Sequence, residues 1–239
     1  MFFIIGLGLN ENGISKEGLE AARKCKKIYL ENYTVDFPYS RDKLSKSIGK
    51  KTIPADREFV EGFGILDEAK KEDVAMLVYG NPLMATTHIS LIEEAKKRKI
   101  KFKTIHAASI LDAVAETGLQ IYKFGKIASM PKWQKSYWPE SMMETVKENL
   151  SINAHTLILV DIGLDFKKAL EQLEQASENQ GVDIKKILAC QKLGTDKSKI
   201  IYGEVSKLRD EKMESPFCMI IPGKLHFLEA EILEKLLQH

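Results

Sequence analysis

Apolar residues run along this chain in short bursts, each followed by a stretch with helical spacing. Bursts at 2–9, 27–32, 74–79 and 102–106 precede helical patterns at 15–26, 39–48, 87–99 and 108–118. Such short continuous runs fit strands buried on both faces, and their alternation with helices predicts a mainly parallel sheet. Ser15 is a candidate N-cap for the first helix, with Leu19 and Ala22 on its apolar side. After Gly118 the texture changes, with bursts at 127–130, 156–162, 187–191, 200–205 and 217–222 and helical patterns at 138–149, 166–179 and 226–238. Phe166, Ala169, Leu170 and Leu173 make one apolar stripe. The link between 191 and 200 is too short for a parallel crossover, so this half reads as a mixed sheet. The pattern predicts two α/β lobes, 1–120 and 121–239, joined near 121–126.

Composition narrows the class. The chain has 239 residues, 44% of them hydrophobic, and no run approaches the roughly 18 apolar residues of a membrane span, so a soluble globular protein is expected. The opening Met-Phe-Phe-Ile-Ile lacks a basic leader and a small-residue cleavage site, and reads as a first strand rather than a targeting signal. Cys25, Cys190 and Cys218 are far apart and form no Cys-x-x-Cys or Cys/His cluster, which predicts neither disulfides nor a metal site and fits a reducing cytoplasm. The net charge of +2, with both signs interspersed, gives no footprint for nucleic acid. The one basic run, Lys96, Lys97, Arg98, Lys99, Lys101 and Lys103, reads as a solvated helix end and the edge of the next strand.

Residues 79–88, Tyr-Gly-Asn-Pro-Leu-Met-Ala-Thr-Thr-His, turn an apolar burst into a tight loop and then start a helix. Pro82 pushes Asn81 towards an extended conformation, Gly80 permits close approach, and Thr86 or Thr87 is expected to cap the helix. In an α/β sheet, this place at the carboxyl end of a strand is where ligands bind, and an ordinary strand-to-helix connection fits these ten residues equally well. Gly6-Leu-Gly8-Leu-Asn-Glu-Asn-Gly13 invites a dinucleotide reading, with Glu31 at the end of the second strand as a ribose-binding acid. Glu11 stands where the third glycine belongs and Gly13 comes two residues late, so the glycines are read as a tight turn. There is no Walker-type loop, no G-x-S-x-G and no H-E-x-x-H, which removes kinase and hydrolase chemistry.

Several segments, in order, resemble the diphthine synthases, which belong to the tetrapyrrole-methylase-like group of S-adenosylmethionine-dependent methyltransferases. They are Gly6–Leu9, Leu30–Thr34, Gly80–His88, His106–Ile110, Thr117–Gly125, Thr156–Ile162 and Pro222–His226, spread over nearly the whole chain. The resemblance implies a two-lobed fold with a ligand cleft between the lobes. It also implies successive methylation of the amino group on a 3-amino-3-carboxypropyl-histidine of translation elongation factor 2, with S-adenosylmethionine as donor, no metal and a homodimer. Positions matching the family's donor contacts are Leu9, Asn81, Met84, Ser109, Ile110, Val160, Ala189 and His226. Most would act through backbone groups and shape; from their residue types alone, Leu9, Met84, Ile110, Val160 and Ala189 read as plain core.

Two departures stand out: the family's usual Gly-Asp-Pro-Leu is here Gly-Asn81-Pro-Leu, and Ala108 stands where the family often carries Pro. Asn keeps the shape but removes a charge that favours a cationic donor. His88, His106 and His226 lie beside the matched loops, and none is named as a base, water being the default proton acceptor. Lys132, Trp133, Tyr137 and Trp138 are candidates either for a rim that holds a protein acceptor or for burial of the aromatics between the lobes. The alternatives are a methyltransferase of the same fold acting on a tetrapyrrole or corrin precursor, and a non-catalytic module that binds the elongation factor or the donor.

Overall fold

The structure is a computed structural model that describes residues 1–237, so residue 238, to which the last helical pattern extends, lies outside the described residues. The chain divides into two compact units, Met1–Ala113 and the remainder from Val114, and the stretch 121–126 belongs to the second.

The first unit contains β1 (Phe2–Gly6), α1 (Lys16–Lys24), β2 (Lys27–Glu31), α2 (Arg41–Ile48), β3 (Ile53–Ala55), α3 (Arg57–Glu61), α4 (Gly64–Ala69), β4 (Val74–Val78), α5 (Ile89–Lys97), β5 (Phe102–Ile105) and α6 (Ile110–Ala113). Its five strands are all parallel, in the order β3-β2-β4-β1-β5. On one face Phe2, Ile4, Val74 and Met76 pack with Val60, Leu66, Leu91 and Ala95 of α3, α4 and α5. On the other, Ile5, Ala75, Leu77 and Ile105 pack with Ala22, Leu44 and Ile48 of α1 and α2. Helices on both faces explain why these strands read as continuous apolar runs.

The topology also fixes where a ligand fits. Links from β1 to β2 to β3 carry helices on one face, and links from β3 to β4 to β5 carry them on the other, as right-handed crossovers require. The change of face falls between the adjacent strands β1 and β4, and in open α/β sheets the carboxyl ends of the strands at such a switch point are where ligands bind. Ser15 caps α1 as expected, accepting from the Gly18 N–H at 3.0 Å. The stretch 49–73 carried no assignment in the sequence pattern because β3, α3 and α4 are too short to show a period, and Pro54 confines β3 to the sheet edge.

The second unit contains β6 (Ala128–Met130), α7 (Ser141–Ser151), β7 (Thr156–Val160), α8 (Phe166–Gln180), β8 (Lys186–Gln191), β9 (Lys199–Glu204), α9 (Val205–Leu208), β10 (Phe217–Ile221) and α10 (Phe227–Leu236). Its sheet, β6-β7-β10-β8-β9, is mixed as predicted: β6 and β7 run parallel, and the other pairs are antiparallel. The stripe Phe166, Ala169, Leu170 and Leu173 packs with Met142 and Met143 against Ile158, Ala189 and Met219. Ahead of this sheet, the 108–118 pattern becomes α6 and then a 3-10 turn, Val114–Thr117, ending at Gly118. That glycine has φ of +82°, and a Cβ there would lie 2.5 Å from the Ile232 side chain.

The cysteines are free thiols, as their sequence spacing predicted. Although far apart in sequence, Cys218 and Cys190 are set opposite one another by the β10–β8 register. Their mutual hydrogen bond and burial push the Cys190 thiol well above its ordinary value. Among the described residues no helix is long and apolar enough to cross a membrane.

Candidate functional site

The first unit's loops at this switch point meet around Asn81. Just past the ends of β1 and β4, Gly8 and Gly80 pair in an antiparallel bridge, with N–H to carbonyl distances of 3.2 and 2.9 Å. Both glycines have φ of +68°, and a Cβ on Gly6 would sit 2.6 Å from the Gly80 carbonyl oxygen. These glycines therefore serve close backbone approach between two loops, where the reading of the opening motif sets a tight turn and close approach to a ligand. The third loop, after β5, is tied in by the Asn81 side chain, whose amide nitrogen donates to the Ala107 carbonyl at 3.2 Å. Its oxygen accepts from the Leu83 N–H at 3.3 Å and from Nδ1 of His106 at 3.2 Å. This network assigns the amide orientation and protonates His106 on Nδ1.

The other first-unit candidates lie in the same three loops. Leu9 is buried, and its carbonyl accepts from the Tyr79 hydroxyl at 3.0 Å. Met84 is 46% exposed, which sets it apart from a core methionine. Ser109 caps α6: its hydroxyl accepts from the Leu111 N–H at 3.2 Å and donates to Asp112, which also accepts the Ser109 N–H at 2.7 Å. With its side chain engaged, Ser109 and the half-buried Ile110 offer a ligand backbone and surface.

One expectation about this region changes. The N-cap of α5 is His88, not Thr86 or Thr87, and no side chain caps it. Thr86 instead donates its hydroxyl to the Pro82 carbonyl at 3.0 Å. His88 is buried, donates from Nδ1 to the same carbonyl at 3.0 Å and accepts from the Tyr33 hydroxyl at 3.5 Å, so it braces the loop from within. Glu31 is fully buried and consumed by its own turn, accepting from the N–H groups of Tyr33 and Thr34, both at 2.9 Å, and from the Thr34 hydroxyl at 2.7 Å. No oxygen is left facing a ribose, which closes the dinucleotide reading.

In the second unit the candidates are spread along the sheet. Ala189 lies in the row Ile158–Met219–Ala189, with its side chain in the core, so it offers only backbone. Val160 is two residues beyond that row at the carboxyl end of β7, whereas His226 follows the opposite end, where Ile221 pairs with Thr156. His226 is exposed and caps α10, its Nδ1 accepting from the Leu228 N–H at 3.4 Å.

Beneath His226 lies a charged cluster that sequence reasoning missed. Glu229, fully buried, accepts from the backbone N–H groups of His226 at 2.7 Å and Gln120 at 2.9 Å, from Nε2 of His155 at 3.2 Å, and from the Lys123 ammonium. His155, also fully buried, accepts on Nδ1 from the Gly223 N–H at 2.9 Å, which fixes its neutral tautomer. Burial acts to raise the Glu229 pKa, but the donors from Lys123, Gln120, His226 and His155 prevail and bring it down to about 2. Burial lowers the His155 pKa, against the pull of Glu229. The available sequence signal was the acid three residues after His226, the spacing of a capping box.

The aromatic residues proposed as a rim form a small folded loop. Trp133 donates from its indole to the Pro139 carbonyl at 3.1 Å and stacks on Trp138, with ring centroids 6.2 Å apart. Trp138 and Tyr137 remain exposed at 66% and 58%, while Lys132 donates to the Gly163 carbonyl at 3.1 Å.

This geometry has known counterparts. The family model described as Tetrapyrrole (Corrin/Porphyrin) Methylases matches residues 1–209. The diphthine synthase of Methanocaldococcus jannaschii is 38% identical over 257 residues, covering 100% of both chains. The diphthine methyl ester synthase of Schizosaccharomyces pombe is 36% identical over 263 residues, covering 98% of this chain and 93% of its own. A diphthine synthase crystal structure is similar with a TM-score of 0.89 at 29% identity, covering 99% of this chain and 96% of that one. The chain belongs to the tetrapyrrole methylases and, within them, to the diphthine synthase family.

Proposed function

We propose that this protein is an S-adenosylmethionine-dependent methyltransferase that successively methylates the amino group of the 3-amino-3-carboxypropyl-histidine of translation elongation factor 2. The observation that carries this reading is full-length kinship with diphthine synthases, in a chain whose first-unit candidates lie in the loops after β1, β4 and β5. The yeast relative's name adds a second product to consider, a methyl ester on the acceptor's carboxylate.

The residues present suit such a donor. A cationic sulfonium joined to a nucleoside needs polar backbone groups, apolar surface and no fixed cation nearby. The first-unit loops offer the main chain around Leu9, Asn81, Ser109 and Ile110 and the exposed Met84 side chain, and Val160, Ala189 and His226 are the second-unit candidates. When bound, the donor supplies an electrophilic methyl group on sulfur. The chain's part is to orient the acceptor amine in line and keep water out, which can account for most of the acceleration of a displacement with a good leaving group. Asn81 positions rather than reacts, since its amide joins the loops at 79–88 and 106–109. His88 is engaged on both ring nitrogens, so the amine proton leaves to water or through an exposed histidine such as His106. An acceptor on a folded protein needs a docking surface, a role for which Trp138 and Tyr137 are suitably exposed. The reading places the enzyme in the cytoplasm as a homodimer, without metal, nucleic acid or membrane partners.

The test is the intact mass of elongation factor 2 carrying the aminocarboxypropyl-histidine, after incubation with this protein and S-adenosylmethionine. Gain in whole methyl increments, absent with unmodified histidine, is expected. No gain with donor binding intact would favour the non-catalytic module, and methylation of a tetrapyrrole precursor instead would favour the other enzyme reading.

A further inference from the structure

All five strands of the first unit run the same way, so the loops that follow them line one edge of the sheet in the order β3, β2, β4, β1, β5. The donor candidates occupy the last three of these loops. The loops after β2 and β3 are left over, and they carry Tyr33 and Arg57. Contacts run unbroken from this end of the edge to the donor loop. The Arg57 guanidinium lies over the Tyr33 ring, 5.2 Å from its centroid. The Tyr33 hydroxyl donates to His88 at 3.5 Å, and His88 donates to the Pro82 carbonyl, next to Asn81. Tyr33 is a fixed platform: buried Glu31 accepts its N–H at 2.9 Å, and its ring packs half-buried against the core that contains Ala55 and Val60. Arg57 has an ion pair with Glu61, but at 3.9 Å between two exposed side chains it contributes little and leaves the planar fork of N–H donors open. A guanidinium laid flat on an aromatic ring is preorganised to take a carboxylate through two parallel hydrogen bonds.

We propose that Arg57, seated on Tyr33, binds the carboxylate of the acceptor's aminocarboxypropyl arm. The inference rests on the methyltransferase reading, in which the acceptor's amine and carboxylate share one carbon. A carboxylate held at the β3–β2 end of the edge turns that amine towards the donor loop after β4. Only β2 separates β3 from β4, so the two loops start about 10 Å apart, and the lean of Arg57 over Tyr33 closes part of that gap. Once paired with a carboxylate, the guanidinium adds no net charge beside the cationic donor. An acidic side chain on the surface of the elongation factor has the same chemistry, and the test separates the two.

Calorimetry on wild type, Arg57→Gln and Arg57→Lys gives dissociation constants for elongation factor 2 with and without the aminocarboxypropyl group. Arg57 is exposed, so both variants are expected to keep the wild-type melting temperature. The wild type should bind the modified factor more tightly than the unmodified one. Loss of a charge-assisted hydrogen bond in Arg57→Gln should weaken the modified factor alone, by about tenfold. Arg57→Lys should recover part of this, because lysine keeps the charge without the planar fork. Equal weakening on both forms assigns the guanidinium to surface docking and overturns the arm subsite. Unchanged affinity for the modified factor in Arg57→Gln, or a wild type that binds the two forms alike, overturns it as well. Either result leaves the enzyme reading standing where the wild type still adds methyl groups by intact mass; a wild type that adds none overturns that reading, and this inference with it.

Discussion

Each unit buries one glutamate completely, and the two are satisfied in opposite ways. Glu31 takes its donors from residues two and three positions onward, so one turn of chain supplies all of them. Glu229 collects donors from His226, Gln120, Lys123 and His155, which come from three separate stretches of chain. Local satisfaction shapes one loop and leaves the parallel sheet to position the rest. Remote satisfaction pins several loops together, which suits a mixed sheet whose connections do not converge on one edge.

The largest effect is expected from Glu229→Ala, which leaves Lys123 without its carboxylate and strips a hydrogen-bond acceptor from His155 and two backbone N–H groups. Breaking a buried pair in this way costs about 3 kcal/mol, to be read as a lower urea midpoint. Glu31→Ala should cost less, about 2 kcal/mol for hydrogen bonds to a charged acceptor, and its damage should be confined to residues near 31–34 in hydrogen exchange. Equal, delocalised losses in both variants would erase the comparison.

Acid sharpens it next. His155 has a folded pKa below its ordinary 6.5, so its contribution is complete above that pH and is lost as pH falls below it. Glu229 is depressed from 4.5 to about 2, so its contribution is complete above 4.5 and is lost as pH falls towards 2. Both act in the same direction, and stability should fall in two stages, with Glu229→Gln reducing the dependence below pH 4.5 and leaving the part that the lowered carboxyls of Glu68, Glu140 and Glu214 contribute. An unchanged profile in that variant would contradict the assignment.

Asn81→Asp probes the first unit's junction. The added charge should tighten the donor dissociation constant, as the family's usual Asp suggests. The lost amide donor leaves a carboxylate oxygen facing the Ala107 carbonyl, so melting temperature should fall by the equivalent of about 1 kcal/mol. Unchanged donor affinity would refute the charge argument. Smallest of all, Trp138→Ala should leave stability within about 0.5 kcal/mol because the ring is exposed, while raising the KM for the acceptor protein.

What the sequence made legible follows from the range of the interactions. The Ser15 cap, the α8 stripe and the change from parallel to mixed sheet are all written in neighbouring residues. The short elements between 49 and 73 were invisible because three to six residues carry no period. Thr86 was misjudged as a cap because its hydroxyl turns to Pro82, a contact set by the loop's fold. The cysteine pair and the Glu229 cluster join residues tens of positions apart, and only the strand register and the return of α10 bring them together. Most donor candidates were reached through family resemblance, since Leu9, Ile110 and Ala189 have side chains that look like core.

The claim that most needs a direct answer is that the methyl groups end on nitrogen. Elongation factor 2 methylated by this protein should be digested, and the peptide bearing the modified histidine weighed before and after mild base. Methyl increments that survive base are the predicted result, because quaternary and tertiary amines resist hydrolysis. Complete loss of the increments would mean that the protein makes only an ester, and would contradict amine methylation.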